Sequence, residues 1–179
     1  MKGQELYQLR FPIGEFHKPE VISSKQVEDW ILEIELFPKR LEKVVENLSS
    51  EELNYKYRPE GWTIKQVVHH CADSHMNCLI RIKLALTEKL PAIRPYYEDR
   101  FAELPDSLDD NLDDSLLLLQ GLHAKLTKVM SALTAQQLSL EYMHPEHGSK
   151  FSLDEVVGNY AWHSNHHLAH VIQALELKY

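Results

Sequence analysis

Four long segments in which apolar residues recur at helical spacing constrain the fold of this 179-residue chain. They cover about residues 23–48, 63–90, 108–133 and 152–177. No stretch of useful length shows the strict alternation of apolar and polar residues that marks a strand. The connection over 91–107 holds three prolines and is long enough to cross one end of a bundle. The pattern predicts an all-α four-helix bundle with long connecting loops, as one domain over residues 1–179.

Turn-forming and capping residues set the expected boundaries of these helices. Residues 1–22 are expected to be irregular, because two prolines and a glycine interrupt regular structure there. Ser23 is placed to cap the first helix, and Pro38 inside that helix predicts a kink or a break into two pieces. Capping boxes are predicted at two other helix starts, Thr63 with Gln66 and Ser152 with Glu155.

The third helix carries four consecutive leucines, residues 116–119, which cover most of its circumference. Such a run predicts burial on two sides, either within the bundle or against a second subunit. The alternative is that the outermost leucine is simply exposed.

Charge and cysteine content limit the classes of partner and the compartment. The formal net charge is −8, and Lys and Arg form no cluster of the kind that phosphate binding needs, so nucleic acid and membrane surfaces are not expected partners. No apolar run approaches the length of about 20 residues that spans a bilayer, and no signal peptide is recognisable. Cys71 and Cys78 are too far apart on one helix for a disulfide. A cytoplasmic protein with reduced, buried cysteines is predicted.

The fourth helix holds four of the eleven histidines within residues 163–170. His163 and His167, like His166 and His170, are separated by one helical turn, a spacing that suits two ligands on one metal ion. On a helical wheel, His167 lies on the apolar side of the helix and His163 at its border. His170 falls further round, and His166 lies almost opposite. Because ligands in a bundle must project inward, His163 and His167 are the predicted pair.

A third ligand is sought on the second helix, which carries three histidines. His70 belongs to a polar stripe that also contains Asp73, Asn77 and Arg81 and that could face either the bundle or the solvent. His69 shares its side with lysines and is expected to face the solvent. His75 lies on the apolar side and is expected to be a hydrogen-bonded core histidine. His70 is the predicted third ligand.

Several blocks of the sequence resemble the YfiT branch of the DinB-like superfamily. They are Gly61–His70 with Asp73–Asn77, Lys83–Glu88, His144-Pro145-Glu146, Tyr160–His163 with His166-His167, and Phe11–Gly14. Together they extend over nearly the whole chain. The resemblance implies a four-helix bundle, a homodimer and one divalent metal, zinc or nickel. It also implies that His70, His163 and His167 are the metal ligands, the same set that the helical wheel favours.

Three imidazole ligands leave a metal ion with an open position, as in catalytic sites. One hypothesis is a transferase that directs a low-molecular-weight thiol at an electrophile, because the resembled family includes bacillithiol S-transferases. A second is a metal-dependent hydrolase that activates water. A third is a non-enzymatic stress-response binding or regulatory protein with a closed metal site, in which Glu146 or His170 would be the fourth ligand.

Other polar residues receive candidate roles near this site. Asn77 and Arg81 could bind substrate carboxylates or a sugar-linked thiol, although Arg81 could equally form a salt bridge inside the bundle. Asp73 and Glu146 are candidate catalytic residues that orient an imidazole or move a proton; for Asp73 a solvated or capping role is the alternative. Four further histidines could line the rim of a pocket or lie on ordinary surface: His144, His147, His166 and His170.

Overall fold

The computed structural model describes residues 3–179 and confirms the four-helix bundle. The long helices are α2 (Ser24–Val45), α4 (Ile64–Thr87), α6 (Asp113–Met130) and α8 (Leu153–Leu177). Four short helices lie before and between them: α1 (Gly3–Arg10), α3 (Ser50–Leu53), α5 (Glu98–Phe101) and α7 (Ala135–Leu138). Strands β1 (Glu141–His144) and β2 (Ser149–Ser152) form an antiparallel hairpin just before α8.

The four long helices form a ring in which helices consecutive in sequence do not always pack against each other. Helix α2 packs mainly on α6 and α8, and α4 packs on the same two helices. The connection after α4 pairs with the hairpin on its way, since the Ile93 amide donates to the Met143 carbonyl at 3.0 Å. Helices that follow one another in sequence can lie apart because long connections cross the ends of the bundle, as was expected for the 91–107 segment.

Helix α2 is continuous through Pro38, so the predicted break into two pieces is wrong. In an α-helix the Ile34 carbonyl would accept a bond from the amide of residue 38, which proline lacks. That carbonyl instead lies 2.5 Å from Nδ1 of His123, on α6. The neighbouring helix therefore supplies the hydrogen bond that the proline removes. At the start of α2, Ser23 caps as predicted.

Helices α4 and α8 begin close to their expected positions but differ in how they are capped. The Thr63 and Gln66 capping box is confirmed. The box predicted for Ser152 and Glu155 is wrong: the Ser152 hydroxyl bonds to the Asp154 carboxylate, and the Glu155 carboxylate pairs with Lys18 at 2.9 Å. Asp154 follows Ser152 by two residues and competes for its hydroxyl, a local effect that spacing alone did not reveal.

Two elements were not expected from the sequence. Residues 3–10 are helical; the two prolines and the glycine on which the expectation of irregular structure rested all lie beyond Arg10 and do not interrupt this segment. The hairpin of β1 and β2 was also missed, since strands of four residues are too short to show a period. The N-terminal segment lies against α8, where the Trp162 indole donates to the Gly14 carbonyl at 3.0 Å.

The core consists of two apolar clusters, one at each end of the bundle. Along each long helix, the residues of one cluster end where those of the other begin. On α2 this boundary lies between Ile34 and Phe37, and on α4 between Ala72 and Cys78. On α6 the change falls between Leu119 and Leu122, and on α8 between Ala161 and Leu168. The buried histidines of α4, α6 and α8 concentrate near these boundaries: His70, His75, His123, His166 and His167.

The leucine run on α6 is only partly buried within this chain. Leu119 is fully buried, whereas Leu117 is 69% exposed and Leu118 is 43% exposed. Burial on two sides is thus not supplied by the bundle. Among residues 3–179, no helix combines the length and apolar character needed to cross a membrane.

Replacing Gly158 by alanine is expected to destabilise the protein by about 1–3 kcal/mol, as overpacking does. A Cβ at this position of α8 would lie 2.8 Å from the ring of Trp30 on α2. Gly121→Ala is the matched control, because it also lies inside a long helix but has open space around the added methyl group. That control is expected to be neutral or to gain up to about 1 kcal/mol. Chemical denaturation measures both, and equal effects would contradict the close packing of α8 on α2.

Candidate metal centre

Three histidines from two helices converge at one point in the bundle. His70 comes from α4, and His163 and His167 come from α8, one turn apart. Each offers a ring nitrogen, and these three nitrogens lie within 4.8 Å of one another. The helical spacing of His163 and His167 and the packing of α4 on α8 together produce the cluster.

The spacing of the ring nitrogens fits a divalent metal ion. Nε2 of His70 lies 3.3 Å from Nε2 of His163. Two nitrogen ligands at about 2.0–2.1 Å from a tetrahedral ion stand about 3.3–3.4 Å apart. The cluster could therefore hold a metal on three imidazoles, and the donor set suits zinc and other first-row divalent ions.

The surroundings keep these imidazoles neutral, as metal binding requires. Burial lowers the pKa of His70 to about 4. Burial also lowers the pKa values of His163 and His167 well below the usual range, and the neighbouring histidines lower them further. A neutral imidazole has a lone pair free for a metal, so the cluster is available for ligation at neutral pH.

The cluster lies in the wall of a cavity of about 670 Å³. Charged groups of both signs line this cavity: Arg10, Arg58 and Arg81, with Glu60, Glu98, Asp99 and Glu146. Aromatic side chains complete the wall, namely Phe11, Tyr57, Trp62, Tyr96, Tyr160 and Trp162. The size and the mixed polar lining suit a small polar molecule.

Four buried polar atoms of the cavity wall have no hydrogen-bond partner among residues 3–179. They are Nε of Arg58, Nε of Arg81, Nδ1 of His144 and Nδ1 of His166. An unpaired buried polar group costs about 1–3 kcal/mol, so such groups are normally satisfied by a ligand or by water. All four residues line this one cavity, whose wall is therefore rich in groups that can bind a polar ligand.

The other predicted site residues are distributed over three places. Arg81 and Glu146 line the cavity that contains the histidine cluster. Asn77 lines a neighbouring cavity of about 670 Å³, and its amide donates to the Asp73 carbonyl at 2.9 Å. Asp73 is half-buried, and burial followed by the charge of Asp106 raises the pKa of its carboxyl. The structure thus places Arg81 and Glu146 in the wall of the cavity that contains the cluster, but neither Asn77 nor Asp73.

The neighbouring cavity is more apolar than the first. Met76, Pro95, Tyr97 and Phe101 supply much of its wall. Tyr96 and Glu146 line both cavities. The two spaces are therefore adjacent, with Glu146 at their common border.

The histidines expected at the surface are mostly buried. His166 and His170 are 6% and 3% exposed, because the N-terminal segment and the loop before α4 cover that side of α8. His166 stacks on Trp162, and His170 stacks on Tyr57 and bonds to the Arg10 carbonyl at 3.0 Å. Of the other two rim candidates, His144 is buried and His147 is exposed, and both line the cavity.

His69 is also buried rather than solvent-facing, since α6 and the loop before it supply partners for both of its ring nitrogens: Ser115 Oγ at 2.8 Å and the Asp109 carbonyl at 3.1 Å. Lys65, on the same side of α4, pairs with Asp110, so this face is covered by polar contacts. His75 is a buried, hydrogen-bonded core residue, as expected.

Part of the cavity wall could not be found from sequence. Arg10, Arg58 and Tyr96 come from irregular segments or from the edge of α1, where no periodicity indicates a direction. Ser74 was recognisable, because it follows His70 by one turn of α4; its hydroxyl lies 3.4 Å from Nε2 of His163.

A helical bundle with three convergent histidines beside a polar cavity defines a class of candidate metal-dependent proteins. The chain belongs to the DinB superfamily, whose family model matches residues 33–171.

Similar proteins share both the fold and the metal-dependent description. The chain is 46% identical over 165 residues to the Bacillus subtilis protein named "Putative metal-dependent hydrolase YfiT", with 92% of this chain and 93% of that protein covered. A "Putative metal-dependent hydrolase" of Bacillus cereus (strain 03BB102) is 45% identical over 163 residues, with 91% and 93% covered. The solved structure of Bacillus subtilis YfiT, described as an unusual four-helix bundle, matches with a TM-score of 0.93 at 44% identity and covers 96% of this chain and 98% of its own.

Proposed function

We propose that this chain is a metal-dependent enzyme of one domain, in which His70, His163 and His167 hold a divalent ion, most simply zinc, with nickel as the alternative metal. The observation that carries the proposal is the position of the histidine cluster in the wall of a polar cavity of about 670 Å³. A purely structural metal would not need a cavity of that size at its open side.

The reaction that we propose is transfer of a small thiol to an electrophile. A divalent ion on three neutral imidazoles keeps its full charge, so it can lower the pKa of a bound water or hold a thiol as the thiolate. The chain's own contribution is to bind the thiol by its polar groups and to exclude water around it. Arg81 and Arg58 are suited to carboxylates on that thiol, because each has a buried Nε without a partner among the described residues.

The two adjacent cavities support a two-substrate reaction. The polar cavity would hold the thiol and the more apolar one the electrophile. In the transfer, sulfur forms a bond to the electrophilic carbon, and the leaving group departs with the electrons of the broken bond. Glu146, at the border of the cavities, is the proposed acceptor of the thiol proton, and it is preferred to Asp73 because Asp73 lines neither cavity.

Hydrolysis is the second candidate function. It is favoured by the names of the similar Bacillus proteins, which are described as metal-dependent hydrolases. The same cavity would then bind an ester or amide, and water would replace the thiol as nucleophile.

A cobalt-substituted sample separates the candidates. Adding a thiol is expected to change the visible spectrum of the cobalt protein, and a generic electrophile with a panel of thiols is expected to turn over faster than ester substrates. An unchanged spectrum with every thiol would contradict S-transfer, and ester turnover in the same sample would then support hydrolysis. A site that exchanges neither thiol nor water would instead favour the non-enzymatic binding protein.

The Arg81→Gln variant extends this experiment to substrate recognition. Loss of the guanidinium is expected to weaken binding of a thiol that carries a carboxylate by roughly 10-fold or more, as loss of a charged hydrogen bond does. Binding of an uncharged thiol is expected to change little, which serves as the internal control. Equal effects on both thiols would contradict a carboxylate contact at Arg81.

We also propose a homodimer, which would cover the exposed Leu117 and Leu118. Light scattering is expected to give twice the chain mass of 20.9 kDa. A monomer with Leu117 exposed would contradict this part of the proposal.

A further inference from the structure

A chain of three imidazoles connects the proposed metal centre to the far side of the bundle. Nδ1 of His163 lies 3.0 Å from Nε2 of His75, and Nδ1 of His75 lies 2.6 Å from Nε2 of His123. Nδ1 of His123 lies 2.5 Å from the carbonyl of Ile34. This chain of imidazoles and its final carbonyl therefore involves all four long helices, from α8 through α4 and α6 to α2.

The last acceptor sets the direction of every bond in this chain. The Ile34 carbonyl can only accept a hydrogen bond, so His123 must carry a proton on Nδ1. In a neutral ring, Nε2 of His123 then accepts from Nδ1 of His75. By the same reasoning Nε2 of His75 accepts from Nδ1 of His163. The result is that Nε2 of His163 has no proton and presents its lone pair to the cluster.

Pro38 makes the carbonyl at the end of this chain available. Because proline has no amide hydrogen, the Ile34 carbonyl lacks its usual partner within α2. The proline inside the helix and the histidine on α6 therefore belong to one arrangement, in which a backbone group of α2 anchors the tautomers of three rings.

We propose that His75 and His123 are positioning residues for the metal ligand His163: they fix its tautomer and its ring orientation before a metal binds. This inference rests on the proposed metal centre. Ligating histidines commonly donate their second N–H to an acceptor that raises affinity, and here that acceptor is a neutral imidazole backed by a second one.

The packing around the two rings supports a positioning role rather than a catalytic one. His75 and His123 are 1% and 2% exposed, and neither lines the cavity. Phe37 packs against both rings, with ring centroids 5.5 Å and 5.4 Å apart. Neither ring can reach a substrate in the cavity. Both are held firmly enough to orient the next ring in the chain.

The other two proposed ligands are held less strictly. The His70 ring packs at a tilt against Trp62, with ring centroids 4.7 Å apart. Nδ1 of His167 is 3.4 Å from Nδ1 of His170, which is too long for a strong hydrogen bond. We therefore expect His163 to be the ligand whose orientation is most defined in the metal-free protein.

The test compares zinc affinity in three variants by competition with a chromophoric chelator. His123→Phe and His75→Phe are expected to lower zinc affinity by about 10- to 100-fold, the usual effect of losing a partner of a metal ligand. His69→Phe is the matched control: it removes a buried histidine of α4 whose ring nitrogens, among residues 3–179, bond to Ser115 and Asp109 and not to the three imidazoles. The control is expected to lower thermal stability while leaving zinc affinity within about threefold of the wild type.

The tautomers can be measured on the unmodified protein, so a variant that fails to fold does not end the test. Side-chain ¹⁵N chemical shifts of the metal-free protein are expected to show His75, His123 and His163 all protonated on Nδ1. An Nε2-protonated form of His75 or His123 would overturn the inference, and so would a His123→Phe protein that binds zinc as tightly as the control. Failure of the wild type to bind zinc, cobalt or nickel would instead overturn the metal centre, whatever the tautomers.

Discussion

Replacing His70, His163 or His167 by alanine is expected to lower the affinity for zinc by more than about 100-fold, because removal of a ligand has a larger effect than removal of a ligand's partner. The three ring nitrogens lie within 4.8 Å of one another, so each substitution removes one third of the donor set. Turnover that depends on the metal is expected to fall with it. Metal content after dialysis and chelator competition measure the effect.

His166→Ala is the control for these variants. His166 lies on α8 with His163 and His167, is as buried as His70 and His167, and lines the same cavity. Its ring stacks on Trp162, packs at a tilt against Phe11 and meets the His167 ring edge-on, but its nitrogens do not belong to the convergent set. This variant is expected to keep about one metal per chain. If it lost the metal while His163→Ala retained it, the ligand assignment would be wrong.

The long helices and the histidine cluster were accessible from sequence because both follow from helical periodicity. Apolar spacing predicted the four segments to within about five residues at each end. The same wheel placed His163 and His167 inward and gave the pair that the structure brings together with His70. Where a feature depends on one helix and its neighbour, a period of 3.6 residues carries the information.

Features that depend on irregular segments were not accessible in this way. His166 and His170 lie off the apolar face of α8, yet the segment around Arg10 and Phe11 covers them. His69 likewise has partners in α6 and in the loop before it. A helical wheel counts only the bundle as interior, so it assigns to solvent any side that a loop later covers.

The hydrogen bonds between the imidazoles of different helices are a second feature that helical periodicity does not predict. His75 was expected to be a core residue with some hydrogen bond, but its partners come from helices far away in sequence, 48 and 88 residues along the chain. Pro38 suggested a break in α2, although the structure uses the carbonyl that it frees. The general expectation that proline breaks a helix fails here, because a hydrogen bond from another helix satisfies the carbonyl that Pro38 leaves without a partner.

The same buried histidines are expected to make the metal-free protein unstable in acid. Burial lowers the pKa values of His70, His123 and His166 to about 4, and those of His75, His163 and His167 well below the usual value. In the unfolded chain these rings take up protons below about pH 6.5, whereas in the folded protein they do not. The unfolded state therefore binds more protons, and stability falls as the pH falls from about 6.5 towards 4.

The expected size of this effect is large enough to unfold the protein. One histidine with a folded pKa of about 4 loses about 2 kcal/mol of stability between about pH 6.5 and pH 4.5. Several such rings together approach the total of about 5–15 kcal/mol that stabilises an ordinary domain. Chelator-treated protein is expected to unfold within this window, as followed by circular dichroism and by denaturant titration at successive pH values.

The zinc-loaded protein provides the control, because a ligand that binds only the folded state adds stability. Its acid transition is expected at lower pH, since protons must displace the metal before they occupy the proposed ligands. A metal-free protein whose stability stays constant between pH 6.5 and 4 would mean that the buried rings take up protons as readily in the folded state as in the unfolded state. That result would contradict the lowered pKa values of His70, His163 and His167, which keep the metal-free cluster neutral well below pH 6.5.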